Sequence, residues 1–221
     1  MATTDDEAPG SPSAPGVPEP LHDAWARHVG GDPERLRRAV ERQRGDGRRH
    51  HGVEHVAAVV GHVVDLAGHE PVGDLGAVVA AAVYHDAVYD PRSASNEHDS
   101  ARLAERELAA EGWPADRRAA VATMIEATAG HEAPGGADAS VLLDADLAVL
   151  GSTPERYDAY AAAVREEYAH VADDAWRRGR RDVLTTFLGR ESIFATATAR
   201  SRWEDAARSN LERELRSLDD T

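Results

Sequence analysis

Apolar side chains recur every three or four residues along most of the chain, the spacing that places them on one face of an α-helix. Val53, Val56 and Val60 belong to the clearest of these stripes. The segment 75–86 is apolar on every side, which predicts a helix buried at the centre of the fold. With Asn, Pro and Gly as start and stop signals, the predicted helices span residues 21–28, 33–44, 53–67, 75–86, 96–110, 114–129, 141–150, 154–171, 174–188 and 201–218.

These helices predict one all-α domain over residues 21–221. Strand patterns are nearly absent, no internal repeat is visible, and the apolar faces do not separate into two sets. The length of 221 residues suffices for one large core, and an alanine-rich composition favours helix. Asn96 is expected to cap its helix, with Asp99 three positions further on. Residues 1–20 are rich in Pro, Gly, Ser and acid, which predicts a disordered tail.

Composition excludes several kinds of chemistry. The absence of Cys excludes disulfides, thiolate ligands and a Cys nucleophile, and the absence of Lys excludes a Schiff base or a P-loop lysine. A net charge of −15 argues against a nucleic-acid polymer as partner. An acidic N-terminus and the lack of a long apolar run predict a cytoplasmic protein without a membrane partner.

Histidines recur on one face of the helix predicted at 53–67. His51 and His55 lie one turn apart and are able to act together, whereas His62 and His69 are too far along the helix to share an ion with them. We interpret His62 and His69 as solvated or capping residues.

Two further groups of polar residues interrupt apolar segments. His85 and Asp86 end the apolar run, and Asp144 and Asp146 lie two apart in another, pointing about 200° away from each other on a helix. Hydrogen bonds or an arginine salt bridge are one explanation. The other is a divalent ion, since two imidazoles, including His55, and two carboxylates form a suitable ligand set.

The order of these residues resembles the HD superfamily of metal-dependent phosphohydrolases, which carries a His, a His-Asp pair and a distant Asp on helices. The resemblance covers about residues 22–218 and is closest to a group of predicted phosphohydrolases with five further motifs. The matching residues are Arg48, His51, His55, His85, Asp86, Tyr89, Asp90, Pro91, Asn96, Glu97, Ser100, Ala101, Leu143, Asp144, Ala145, Asp146, Leu147, Leu150, Gly151, Arg165, Glu167 and Tyr168.

The resemblance implies a helical HD-domain fold and a bound Mn²⁺, Mg²⁺, Co²⁺ or Ni²⁺, with Fe²⁺ as a further option. The implied ligands are His55, His85, Asp86 and Asp146. Asp146 is preferred because the ligand of the family usually stands before Leu or Arg in such a motif, which leaves Asp144 to support a ligand or bind an arginine.

The same comparison suggests catalytic and substrate-binding roles. His51 is expected to act as a general acid, Asp86 to hold the reactive centre, and Asp90 and Glu97 to orient water or hold a second ion. Glu97 is equally explained as a first-turn acid favoured by the helix dipole. Arg48, Arg165, Arg180 and Arg190 are candidates for binding phosphate, although each alone is more often a structural ion-pair partner. His131 is expected to bind a phosphate oxygen or a second ion, or to be a helix-terminal histidine.

The sequence departs from the motif at one place: it reads His50-His51-Gly52 where the family has Tyr-His-Asn. We therefore expect different substrate contacts near the first histidine.

The predicted activity is hydrolysis of a small phosphate ester, a nucleotide or a related monoester. The alternatives are a di-iron oxygenase, for which His51, His62, His131 and Glu97 are the available extra ligands, and a non-catalytic nucleotide-binding protein. The sequence leaves open a monomer or a homodimer formed through residues 187–194 and the last helix.

Overall fold

The protein is all-helical in the residues that its computed structural model describes, which are 16–45, 47–132 and 135–219. No strand occurs in these ranges. The helices are α1 Glu19–Ala24, a π-helical segment Trp25–Val29, α2 Pro33–Arg42, α3 Val53–Ala67, α4 Leu75–Tyr84, α5 Asn96–Ala110, α6 Ala115–Ala127, α7 Ala137–Leu147, a 3₁₀ segment Ala148–Gly151, α8 Pro154–Glu167, α9 Asp173–Leu188 and α10 Ala197–Asp219. The predicted all-α fold is confirmed.

Helix α4 lies at the centre of the bundle, as its uniform apolarity predicts. Every residue from 76 to 84 is buried, and the helix packs against α2, α3, α5, α6, α7 and the π-helical segment. Asp74 caps its start by accepting a hydrogen bond from the Ala77 N–H at 3.0 Å. Because most of its side chains are Ala or Val, neighbouring helices approach closely from all sides.

The second half of the chain is held together by α10. This helix packs on α9 and on the 3₁₀ segment after α7. The buried Asn210 amide donates to the carbonyls of Leu150 at 2.8 Å and Ser152 at 2.9 Å, and so ties the 3₁₀ segment to α10. Arg180 on α9 binds Glu214 on α10 through two hydrogen bonds of 2.7 and 2.9 Å.

Several helix bounds differ from those predicted. Helix α4 ends at Tyr84, so His85 and Asp86 lie in the turn that follows it. Helix α7 begins four residues earlier than predicted and gives way to the 3₁₀ segment after Leu147. Helix α10 likewise begins at Ala197, four residues before the predicted start.

The predicted cap of α5 is wrong. Ser95, not Asn96, precedes the helix, and its hydroxyl donates to Asp99 at 2.9 Å. The Asn96 side chain instead closes the loop before α5, where it accepts from the Asp90 N–H and donates to the Asp90 carbonyl, both at 2.9 Å.

The N-terminal boundary also lies earlier than residue 21. Val17 is buried in the core, and α1 begins at Glu19. The first 15 residues of the expected tail lie outside the described residues. Among the helices described, none is long and apolar enough to cross a membrane.

Candidate metal centre

Four side chains from three parts of the chain converge at one point beside α4. His55 comes from α3, His85 and Asp86 from the turn after α4, and Asp146 from the last turn of α7. The His55 Nε2 atom lies 3.2 Å from His85 Nε2, 3.1 Å from Asp146 Oδ1 and 3.6 Å from Asp86 Oδ2. His85 Nε2 lies 3.1 Å from Asp86 Oδ2 and 3.6 Å from Asp146 Oδ1.

The separations among His55, His85 and Asp86 fit a single ion. Ligand atoms about 2.1 Å from a metal stand roughly 3.0–3.4 Å apart in octahedral or tetrahedral geometry. His55, His85 and Asp86 form a group whose ligand atoms all lie within 4.8 Å of one another, and Asp146 joins it through its contacts with both histidines. Two imidazoles and two carboxylates suit Mn²⁺, Co²⁺, Ni²⁺ or Fe²⁺, and carboxylates also suit Mg²⁺.

Two details of the polar contacts support a metal over a closed hydrogen-bond network. Asp86 Oδ2 is buried and has no hydrogen-bond partner in the described part of the chain. His85 Nδ1 lies 2.8 Å from the Ala82 carbonyl oxygen. Because a carbonyl oxygen only accepts hydrogen bonds, Nδ1 is the donor. This bond fixes the ring and leaves Nε2 available as a ligand, as partners of metal-binding histidines commonly do.

The cluster without a metal ion consists of two buried anions balanced by the charge of His85, whose proton a bound ion would replace. Burial raises the pKa of Asp86 and Asp146, but the charge of His85 outweighs it and holds both pKa values below the usual range. Burial lowers the pKa of His85, and the two carboxylates reverse this and raise its pKa well above the usual value. Both acids are therefore ionised at neutral pH, the state in which carboxylates bind metals.

Asp144 and Asp146 have separate roles. Asp146 faces the cluster, whereas Asp144 is buried on the other side of α7 and accepts hydrogen bonds from the Ala195 and Thr196 N–H groups, each at 2.7 Å. Asp144 thus anchors the backbone before α10. The expectation that it supports a ligand or binds an arginine is corrected, because backbone amides are its partners.

His51, which lies one turn before His55, is held by the buried carboxylate of Glu167. Its Nδ1 lies 2.6 Å from Glu167 Oε2, which also accepts from the Tyr89 hydroxyl at 2.8 Å. The other Glu167 oxygen accepts from the N–H groups of Arg49, His50 and His51 at 2.6, 2.8 and 3.1 Å. The ring of His51 also stacks on that of Tyr89.

This network sets the charge of both partners. Burial raises the pKa of Glu167, but the hydrogen bond and charge of His51 and the surrounding donors lower it to about 2. Burial lowers the pKa of His51, and the charges of Asp86 and Glu167 overcome this and raise it. Folding therefore favours the protonated form of His51, whose ring is held in orientation by an ionised partner.

The four ligand residues line a cleft of about 480 Å³, which we call the histidine cleft. His51, Glu97 and His131 line it as well, and Arg180 and Arg190 contribute to its walls. The predicted catalytic residues His51, Asp86 and Glu97 therefore share one cavity.

His131 contacts a ligand directly. Its Nε2 lies 3.0 Å from Asp146 Oδ2, the carboxylate oxygen opposite the one that faces His55. The residue has φ 47°, a left-handed conformation. Arg190 stabilises the loop by donating to the carbonyls of Gly130 at 3.0 Å and His131 at 2.9 Å. A role for His131 in binding phosphate or a second ion stays a prediction.

Three predicted site residues lie outside the histidine cleft. Arg48 donates to the backbone carbonyls of His51 at 2.7 Å and Asp86 at 2.8 Å, and so braces the ligand turn. Arg165 donates to the Tyr168 carbonyl at 2.8 Å and to Asp173 at 2.6 Å. Asp90 is exposed and accepts from the Arg92 N–H at 2.9 Å. These contacts give Arg48, Arg165 and Asp90 structural roles, and the expected phosphate and water contacts of these residues stay predictions.

Comparison with protein families, with curated proteins and with solved structures gave no match to this chain.

Sequence reasoning missed the contacts of Glu167 and His50. Glu167 entered only as a motif residue, because a glutamate at the end of a surface helix is normally solvated. The His50 ring packs 4.5 Å from His55 and 4.6 Å from Tyr160, measured between centroids. Burial, followed by the charges of His55 and His51, lowers the pKa of His50 to about 2, so its ring is neutral. The departure at this position from the family motif was the available signal for His50.

Proposed function

We propose that this protein is a metal-dependent phosphohydrolase that releases phosphate from a small ester, a nucleotide or a related monoester. The observation that carries the proposal is the convergence of His55, His85, Asp86 and Asp146 on one point of an open cleft, with a buried carboxylate oxygen of Asp86 left without a partner. A divalent ion bound by these residues would supply a Lewis acid for the phosphoryl oxygens and lower the pKa of a water molecule.

His51 supports such a reaction as a proton donor. In hydrolysis, water adds to phosphorus, the ester P–O bond breaks, and the leaving oxygen takes a proton. His51 lines the cleft, has its Nδ1 engaged by Glu167, and has a raised pKa because the charges of Asp86 and Glu167 outweigh burial. The opposite ring nitrogen is then the one that gives its proton to the leaving oxygen and recovers one from the attacking water.

Arginines of the cleft walls favour an anionic substrate. Arg190 uses two nitrogens on backbone carbonyls, and Arg180 uses two on Glu214. A guanidinium carries five N–H groups, so each retains further donors. Because Asp86, Glu97, Asp146 and Asp182 also line the cleft, a bound divalent ion together with Arg190 would supply the positive charge for an anionic substrate.

The test is restoration of activity by metal. The protein is stripped with a chelator, Mn²⁺, Mg²⁺, Co²⁺, Ni²⁺ or Fe²⁺ is added back singly, and phosphate release is measured on nucleotides and sugar phosphates. We expect turnover only with metal, and a loss of at least about a thousandfold in Asp86→Ala with helical content retained. Asp116→Ala, an exposed acid in the first turn of α6, is the control and keeps full activity.

Full activity in Asp86→Ala would refute the site. A tightly bound ion without phosphate release from any ester would refute hydrolysis instead. In that case, two irons per chain with oxygen consumption would indicate the oxygenase, and nucleotide binding without turnover would indicate a binding protein.

A further inference from the structure

A second cleft reaches the same metal-binding residues from another side. It has a volume of about 540 Å³ and lies between α3, α8, the 3₁₀ segment and the start of α10. It shares His50, His55, Asp146, Val149 and Tyr160 with the histidine cleft, while His85 and Asp86 line only the histidine cleft. The two cavities therefore meet at the His55 and Asp146 side of the cluster.

The shared wall places a large cavity beside the point where phosphate would bind. His50 and Tyr160 pack edge to face with their ring centroids 4.6 Å apart, and His50 touches the ring of His55 in turn. A phosphate group is far smaller than 540 Å³, and ligand cavities of several hundred Å³ hold whole organic molecules. The second cleft has the size and position to receive the part of an ester that remains after phosphate leaves.

The lining of the second cleft suits a flat, uncharged ring system. Small side chains make its floor, and they are Ala58, Ala145, Ala148, Ala159 and Ala163. Trp203 stands at one end, where the edge of His62 meets it with ring centroids 5.2 Å apart. Gly151 lies so close to Trp203 that a Cβ would come within 2.5 Å of the tryptophan Cβ. An aromatic wall over an apolar floor is a surface on which a nucleobase stacks.

Arg156 adds a hydrogen-bonding group with free donors. It is exposed in the first turn of α8, and its guanidinium forms no hydrogen bond or ion pair with any residue that the structure describes. Burial and the charge of Arg156 lower the pKa of His62, so the imidazole is neutral and offers one donor and one acceptor. A guanidinium pairs in two-fold fashion with the N7 and O6 edge of guanine.

A second phosphate fits the cleft less well than a base does. Arg49, the other cation of the lining, lies 3.3 Å from Glu166, and the exposed acid Glu54 also lines the cavity. An anion would meet one unpaired cation and an acid, whereas a neutral ring would meet the apolar floor.

We propose that the second cleft is the base-binding subsite of a nucleoside monophosphate substrate, with a preference for guanine. This inference rests on the proposed hydrolase activity and adds the identity of the leaving group. Trp203 and the alanine floor contact the ring, and Arg156 and His62 bind its polar edge.

The experiment compares two esters that carry the same phosphoryl group on the same sugar carbon, guanosine 5′-monophosphate and ribose 5-phosphate. With the activating metal bound, we expect kcat/KM to favour the nucleotide by about 10- to 100-fold. Ala159→Phe, which fills the floor from an exposed helical position, and Arg156→Ala each lower this ratio about tenfold. Arg106→Ala, an exposed arginine on α5, is the control and leaves the ratio as it is.

Equal kcat/KM for the two esters, or a ratio that Ala159→Phe does not change, would overturn the subsite while the hydrolase stands. If neither ester is hydrolysed with any metal, the hydrolase fails, and calorimetry with guanosine 5′-monophosphate decides the subsite. Binding that Ala159→Phe weakens at least tenfold supports the base site, and no binding or unchanged binding overturns it.

Discussion

Two aspartates of α7 show how a shift of two positions changes the role of a residue. Asp146 adds its charge to a cluster of ionisable groups, and Asp144 satisfies backbone N–H groups at a helix start. Both lie in the same apolar segment, so hydrophobicity alone does not separate them. The helical rotation of about 200° between the two residues does separate them, because it points their side chains towards different parts of the fold.

The pair gives a matched prediction. We expect Asp146→Asn to lose metal binding and also to destabilise the metal-free chain, because the charge of His85 outweighs burial and holds the pKa of the Asp146 carboxyl well below its usual range. Asp144→Asn should keep the metal and lose about 1–3 kcal/mol of unfolding free energy, because one of its oxygens becomes an N–H group facing a backbone donor. Metal analysis and urea unfolding of both variants measure these effects. Loss of the metal from Asp144→Asn and its retention in Asp146→Asn would mean that the two aspartates have the opposite roles.

At this scale, the sequence predicted the residues of the His/Asp cluster better than those that surround it. His55, His85, Asp86 and Asp146 stand out because polar side chains inside apolar helices need a partner. The role of Glu167 did not stand out, because its burial depends on His51 and Tyr89, which lie 116 and 78 positions away in the sequence. The carbonyl contacts of Arg48 were not foreseen, because a guanidinium binds a backbone carbonyl as readily as a phosphate and no local pattern separates the two.

The helices themselves were predictable, and their ends were less so. The apolar stripe of α3 and the uniform apolarity of α4 gave these elements directly. Helix α4 ends earlier than predicted, because residues 85 and 86 form a turn that directs His85 and Asp86 towards α3 and α7. The 3₁₀ segment after α7 depends on contacts with α10, about 50 residues later, which a local pattern does not contain.

One prediction concerns how the 3₁₀ segment packs on α10. In Gly151→Ala, the new Cβ would lie 2.5 Å from Trp203 Cβ, 2.8 Å from its carbonyl oxygen and 2.9 Å from its Cα. Because backbone atoms do not yield easily, we expect a loss of about 1–3 kcal/mol in unfolding free energy.

Gly179→Ala is the matched control for this substitution. Gly179 lies within α9 with open space around its Cβ position, so alanine there should stabilise the protein by about 0.5–1 kcal/mol. Thermal unfolding of both variants makes the comparison. Equal effects of the two substitutions would show that the 3₁₀ segment is free to move away from α10.

For the whole molecule, Glu167 connects three distant parts of the chain, namely the end of α8, the backbone before α3 and the loop after α4. Its pKa falls from 4.5 to about 2 on folding. A lowered pKa in the folded state contributes stability that is complete above about pH 5 and is lost as the pH falls towards 2.

We therefore expect Glu167→Gln to lower the unfolding free energy by about 3 kcal/mol at pH 7. The difference from wild type should shrink as the pH falls from about 5 towards 2, because the unfolded chain takes up a proton at Glu167 in this range while the folded chain keeps the carboxylate ionised down to about pH 2. Urea unfolding at several pH values measures this difference, with the exposed Glu105→Gln as control. A difference that is constant with pH would mean that Glu167 is not ionised in the folded protein.

Helix α4 ends where the turn that carries His85 and Asp86 begins, and this limits how the sequence can change. A larger side chain in its fully buried run of alanines would push neighbouring helices apart and, through the same rigid helix, displace His85. Cellular abundance and ion affinity would then fall together in a mutational scan of this segment. Substitutions that improve either property are consequently to be sought on the outer faces of α9 and α10, where side chains are free to vary without moving the centre.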